Sequence, residues 1–285
     1  MRENRAFTLI ELLVVIAIIA LLMSIIIPGL NLAKKKAASI VCMSNNKQMS
    51  LGWYMYQEES DGKIMRAVME NVGAAIECQA AWIGRPHTAA DTTTTSLSII
   101  QTAPLVTDED EIRGLRKGKL YPYMENPGVY HCPADKLRIG PDGTRLYVSY
   151  AIAECLYGRP DTFEYQIKKF SEITSPSSRY NFVESGENSR GNWIQGGRFP
   201  IAAPEYGAPD YGLWAPVAIS HGNSNTFGFA DGHAEVHKWH DKVIFNHYKS
   251  TENQQPGSVY GFRYDVDSED IDWLAQGWAY RYKNF

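Results

Sequence analysis

Between Phe7 and Leu30 the chain is almost unbroken hydrocarbon, interrupted only by Thr8, Glu11, Ser24, Pro28 and Gly29. At 1.5 Å per residue, a helix over this stretch spans roughly 36 Å, enough to cross about 30 Å of lipid tails. A helix in the core of a soluble domain seldom stays apolar on every face for so long, because one side normally meets water. The stretch therefore predicts a helix that lies in a membrane or in an equally apolar assembly. It does not read as an ordinary secretory signal. Residues 1–6 ahead of it are few and mixed in charge, and Pro28-Gly29 leads into further helical pattern rather than a cleavage site. Glu11 lies inside the run, and a carboxylate among lipid tails is costly unless a cation meets it.

The residues around that carboxylate are specific. Ala6-Phe7-Thr8-Leu9-Ile10-Glu11-Leu12 and the run that follows resemble the leader and helix start of type IV pilins and type II secretion pseudopilins. The resemblance implies that a prepilin peptidase/methyltransferase cuts between Ala6 and Phe7 and methylates the new amino group. It also implies that Glu11 pairs with the Phe7 amine of a neighbouring subunit, which favours the correct axial stagger. Ala6 departs from the glycine usual before the cut. Arg2 and Arg5 precede the span while Lys34, Lys35 and Lys36 follow it, so positive charge alone does not orient it. The resemblance does: one pass through the inner membrane, amino terminus cytoplasmic, body extracytoplasmic in the periplasm or at the cell surface.

After Gly29 helical periodicity resumes. Ala33, Ala37, Ile40, Val41, Ser44, Gln48, Leu51 and Met55 recur at three- and four-residue steps, predicting a stripe that packs on a sheet. Glu58-Glu59-Ser60-Asp61-Gly62 reads as the stop, with Gly62 taking a left-handed cap. The expected organisation is a leader at 1–6, a transmembrane or filament-core helix at 7–30, its amphipathic continuation at 31–61, and a globular domain at 62–285. Two helices joined at Pro28-Gly29 are the alternative.

The body carries no basic surplus. Lys and Arg number 28 against 32 Asp and Glu, a net charge of -4, so nucleic acid is not an expected partner. Seventeen Tyr, 7 Trp, 23 Gly and 14 Pro suit a turn-rich antiparallel sheet. The residues predict strands at 146–152 and 179–183, a short helix over 113–124 with Leu115, Leu120 and Tyr121 inward, and a long irregular loop at 185–214. The acidic run 107–111 reads as a solvated face, with a calcium loop as the alternative. Residues 91–96 read as an exposed loop or edge strand. The aromatic tail at 272–282 reads as an element sealing the sheet, with a glycan-binding patch as the alternative.

Residues 225–239 form the clearest local signal, two alternating segments flanking Asp231-Gly232, which suits a tight hairpin turn. His221 precedes Asp231 by ten positions. This His-x9-Asp-Gly pattern, ending at Gly232, resembles the carboxy-terminal signature of a pseudopilin-like family named processing-associated, which carries the same leader. The segments around Cys42 and Cys132 also resemble that family. We expect Asp231 to shape the turn and His221 to hydrogen-bond back to it or to turn amides.

His233, Glu235 and His237 alternate on one strand face and make a candidate divalent-metal set, with plain packing on an exposed sheet face as the stronger reading. They match neither a zinc deaminase nor a zincin pattern. The four cysteines, Cys42, Cys78, Cys132 and Cys155, suggest disulfides in an oxidising exterior. Three connectivities are open; Cys42 with Cys132 and Cys78 with Cys155 is favoured, against four buried thiols. No phosphate loop or nucleophile elbow occurs. The expectation is an α+β, pilin-like structural subunit without catalytic residues or a required cofactor, partnered by the peptidase and other pseudopilins. The rival readings are a membrane-anchored enzyme or a carbohydrate- or metal-binding ectodomain, and a cargo adaptor within a secretion machine.

Overall fold

In the computed structural model the apolar run and its continuation form one helix, α1, over Leu9–Glu59. The structure describes residues 9–67, 81–84, 107–135, 147–157, 167–186, 198–199, 201–202, 212–213, 217–246 and 268–279. At 1.5 Å per residue α1 is roughly 77 Å long. Pro28 cannot donate to the carbonyl one turn earlier, yet the helix runs through it, so the two-helix alternative does not hold. The stop falls where expected but is built differently. Asp61 takes the first left-handed position (φ 54°), Gly62 follows (φ 74°), and the Gly62 N–H bonds the Gln57 carbonyl at 2.9 Å, a six-to-one closure.

The helix has two environments. From Leu9 to Leu32 its large apolar side chains are exposed. Its later turns lie on a sheet, and the face they bury is not the predicted stripe. Cys42, Asn45, Asn46, Met49, Ser50, Gly52, Trp53 and Gln57 are buried, while Ile40, Val41, Leu51 and Met55 face outward. Ser44 and Gln48 are also exposed. The reason is polar pairing. Asn46 Nδ2 donates to the Thr226 carbonyl (2.9 Å) and hydroxyl (2.8 Å), and Ser50 Oγ donates to Asn181 Oδ1 (2.7 Å). Amides and hydroxyls that find partners can be buried as readily as methyl groups. Gly228 permits this close approach, because a β-carbon there would overlap the Ser50 hydroxyl.

The sheet contains β1 (Tyr150–Ala153), β2 (Tyr180–Glu184), β3 (Arg198–Phe199), β6 (Ser224–Phe229) and β7 (Ala234–Lys238) in the order β3-β1-β2-β6-β7. The pairs β1–β2, β2–β6 and β6–β7 are antiparallel. The two-residue edge strand β3 runs parallel to β1. A separate ribbon pairs β4 (Ile201–Ala202) with β5 (Gly212–Leu213), so the segment read as a loop contributes three short strands. The architecture is α+β and consistent with a pilin-like fold: a long amino-terminal helix packed on a four-stranded antiparallel sheet.

Thr226 and Gly228 face α1, whereas Phe227 points the other way. There its ring lies 4.8 Å from that of Trp273, on a helix over Glu269–Gly277. Tyr180 Oη donates to the Leu274 carbonyl (3.1 Å), and Trp278 is fully buried. The described part of the tail thus seals the sheet, with Trp278 buried and Trp273 half-buried against it; Tyr280 and Tyr282 lie outside the described residues.

The acidic run is neither a bare solvated face nor a calcium loop. It is the first turn of a helix over Asp108–Lys117, closed by a capping box between Thr107 and Asp110. A separate turn of helix follows at Tyr121–Met124. Burial pushes the Asp110 carboxyl up, but hydrogen bonds from Thr107 and the Arg113 guanidinium more than offset it, leaving the group below its ordinary 3.8. Thr107→Ala is therefore expected to destabilise the body by about 1 kcal/mol in urea denaturation at neutral pH. A carboxyl whose folded pKa is depressed adds stability above its unfolded pKa and loses it as pH falls through the lower folded value. Part of the effect of Thr107→Ala should accordingly fade on acidification below that range.

Candidate functional site

Two features of the molecule are functional in character. The first is the exposed apolar half of α1. Glu11 lies in its first turn, on the exposed surface and among side chains that water would not tolerate in such number. Ala6 and Phe7 lie outside the described residues. This half of the helix is long and apolar enough to cross a membrane, and none of its most apolar window is buried.

The second is a buried polar cluster where α1 meets the sheet. Cys42 comes from α1, Cys132 from the segment after a 3-10 turn at Pro127–Tyr130, Glu184 from the end of β2, and His221 from the loop before β6. The Cys42 and Cys132 sulfurs are 2.7 Å apart. His221 Nε2 lies 3.5 Å from Cys132 Sγ and 2.9 Å from Glu184 Oε1. The His221 and Glu184 side chains are 0% and 1% exposed. Glu184 Oε2 accepts from the Thr226 N–H and hydroxyl, each at 3.0 Å. Asn45 Nδ2 donates to Tyr150 Oη at 3.2 Å, and the wholly buried Tyr150 hydroxyl is pushed well above its ordinary pKa, chiefly by burial, with Glu184, Cys42 and Cys132 adding to it.

The charges follow from these contacts. Burial pushes the Glu184 carboxyl up, but His221, the Cys132 thiol and the Thr226 amide together hold it below the usual range. Burial lowers the His221 pKa, and the contacts with Cys132 and Glu184 overcome it, raising the ring to about 10. The Cys42 contact and burial keep the Cys132 thiol protonated against the pull of His221. The result is a buried imidazolium–carboxylate pair beside two thiols. His221 Nδ1 has no hydrogen-bond partner among the described residues.

The other predicted residues are placed as follows. Cys42 and Cys132 are brought together; Cys155 is buried elsewhere in the core, and Cys78 lies outside the described residues. His221 turns to Glu184 and Cys132, while Asp231 Oδ1 bonds the His233 ring and backbone N–H, so the proposed link between His221 and the turn is replaced by two separate contacts. The turn is also one residue longer than a two-residue hairpin. Gly232 N–H bonds the Phe229 carbonyl (2.9 Å), Gly232 is left-handed (φ 92°), and the Phe229 N–H closes on His233.

His233 stacks on Phe229 with ring centres 4.3 Å apart. His237 stacks on Trp273 at 3.8 Å and faces Asp270 at 3.4 Å. Glu235 is exposed. These three side chains do not converge. Among the described residues, the set of metal-ligating side chains that does converge is Cys42, Cys132, Glu184 and His221. Sequence reasoning missed Glu184, since a glutamate ending an apolar strand looks like the strand's exit to solvent.

The fold is consistent with a pilin-like one, and the single exposed apolar helix fits a membrane-anchored protein. Residues 1–27 match the family model described as Prokaryotic N-terminal methylation motif. No curated protein and no solved structure matches the chain. The motif supports a type IV pilin-like substrate of a prepilin peptidase, suited to assembly with other pilin subunits.

Proposed function

We propose that the chain is a pseudopilin-like structural subunit of a type II secretion or type IV pilus-like envelope assembly, and not an enzyme. The observation that carries this reading is the methylation-motif match over residues 1–27, most of which form the exposed apolar half of α1. The peptidase cuts between Ala6 and Phe7 and methylates the Phe7 amine. The helix stays in the inner membrane with its amino terminus cytoplasmic and its body extracytoplasmic. On assembly, Glu11 of one subunit meets the Phe7 ammonium of the next, and the outward-facing Ile40, Val41, Leu51 and Met55 extend the apolar surface toward the body. The segment from His221 to Gly232, similar to the signature of processing-associated proteins, serves the fold rather than a reaction.

Intact-mass measurement of protein extracted from its native membrane tests the first step. A chain beginning at Phe7 with one added methyl is expected; a chain beginning at Met1 would refute it. Glu11→Leu tests the second. Breaking a pair held in an apolar setting costs about 3–5 kcal/mol, over about a hundredfold in association. Crosslinking between subunits in the membrane should fall accordingly, with the body's denaturation midpoint unchanged.

A further inference from the structure

We propose that Cys42, Cys132, Glu184 and His221 form a closed structural site for one zinc ion, pinning α1 to the sheet. Their ligand atoms all lie within 4.8 Å of one another, and all four residues are buried. Two thiols, an imidazole Nε2 and a carboxylate oxygen are the donors zinc takes, and four protein ligands leave no open position for chemistry. The second row is in place. Glu184 Oε2 is held by the Thr226 N–H and hydroxyl, which leaves Oε1 to His221 and within 4.8 Å of the two sulfurs.

The geometry is close to what the ion needs. Bonds of about 2.0 Å to nitrogen and oxygen and 2.3 Å to sulfur put tetrahedral ligands roughly 3.3–3.8 Å apart. The Cys132–His221 separation is 3.5 Å, the His221–Glu184 separation 2.9 Å and the sulfur pair 2.7 Å, and no pair of ligand atoms is more than 4.8 Å apart, so the sulfurs open by about 1 Å and every other adjustment is about 1 Å or a little more. Binding releases both thiol protons and one imidazole proton to solvent; the carboxylate enters already ionised. A disulfide would engage only the two sulfurs. It would leave unexplained why a carboxylate and an imidazole, costly to bury, are aimed at the same point from two further segments.

The test uses the full-length protein purified from membranes in mild detergent, with elemental analysis of bound metals. The expected result is one zinc per chain, falling to under about a tenth in Cys132→Ser and His221→Gln and unchanged in His237→Ala. The wild-type readouts do not depend on any variant folding. Chelation followed by Co2+ should give a near-ultraviolet thiolate-to-cobalt band, which a site built on His233, Glu235 and His237 could not produce. Alkylation of the denatured wild-type chain with peptide mapping should label both Cys42 and Cys132. A metal-free wild-type protein, or a Cys42–Cys132 disulfide that resists alkylation, would overturn the proposal. Neither result bears on processing at Phe7, which the intact mass reads separately.

Discussion

Glu184→Ala is expected to destabilise the folded body by about 3–5 kcal/mol, the usual consequence of removing one partner from a buried charge pair. The carboxylate is almost completely buried and its two oxygens serve different elements. One faces His221, and the other anchors Thr226, which in turn accepts from Asn46 on α1. Its loss leaves the His221 ring without its partner and the Thr226 N–H and hydroxyl without their acceptor at once, in a place water does not reach. The measurement is urea denaturation of the full-length protein in detergent, read by the fluorescence of Trp53, Trp82, Trp239 and Trp278, all buried. Glu235→Ala, on the exposed strand β7, is the control and should stay within about 0.5 kcal/mol. A loss below about 1 kcal/mol for Glu184→Ala would mean that the carboxylate does not tie helix and sheet together.

Met49→Ala and Met55→Ala should differ sharply although they stand on the same helix six residues apart. Met49 is 0% exposed and Met55 is 52% exposed. Truncating a buried methionine typically costs about 2–5 kcal/mol, the lost transfer energy plus the cavity left behind. The exposed one should change stability by no more than about 0.5 kcal/mol. The same denaturation experiment decides between the face inferred from periodicity and the face observed. Equal losses at the two positions would mean that both faces of α1 are covered by the body.

That pair also marks how far the sequence could be read. A periodic stripe of alanine, isoleucine, valine and leucine was the visible signal on α1, and it lies on the outward face. Periodicity reports which side of a helix is apolar, not what that side meets. In a protein whose helix has an apolar half exposed along its length, the apolar stripe can serve a partner rather than the chain's own sheet. The face that does meet the sheet is built from Asn45, Asn46 and Ser50, and nothing in a single sequence says that their partners will be Tyr150, Thr226 and Asn181.

Local chemistry was legible where the determinants are adjacent in the chain. The length of the apolar run, the motif at Phe7 and Glu11, the stop near Gly62, and the hairpin around Asp231-Gly232 all follow from neighbouring residues, because helix length, capping and turn conformation are short-range effects. The strands at 150–153 and 180–184 lie within a few residues of the stretches 146–152 and 179–183 that the sequence predicts, for the same reason. The buried cluster is of another kind. Cys42, Cys132, Glu184 and His221 are separated by tens of residues and arrive from a helix, a turn, a strand end and a loop. Only the packing of α1 across β2 and β6 sets them within reach of one another, since the approach distance is fixed by long-range contacts such as Gly228 against Ser50.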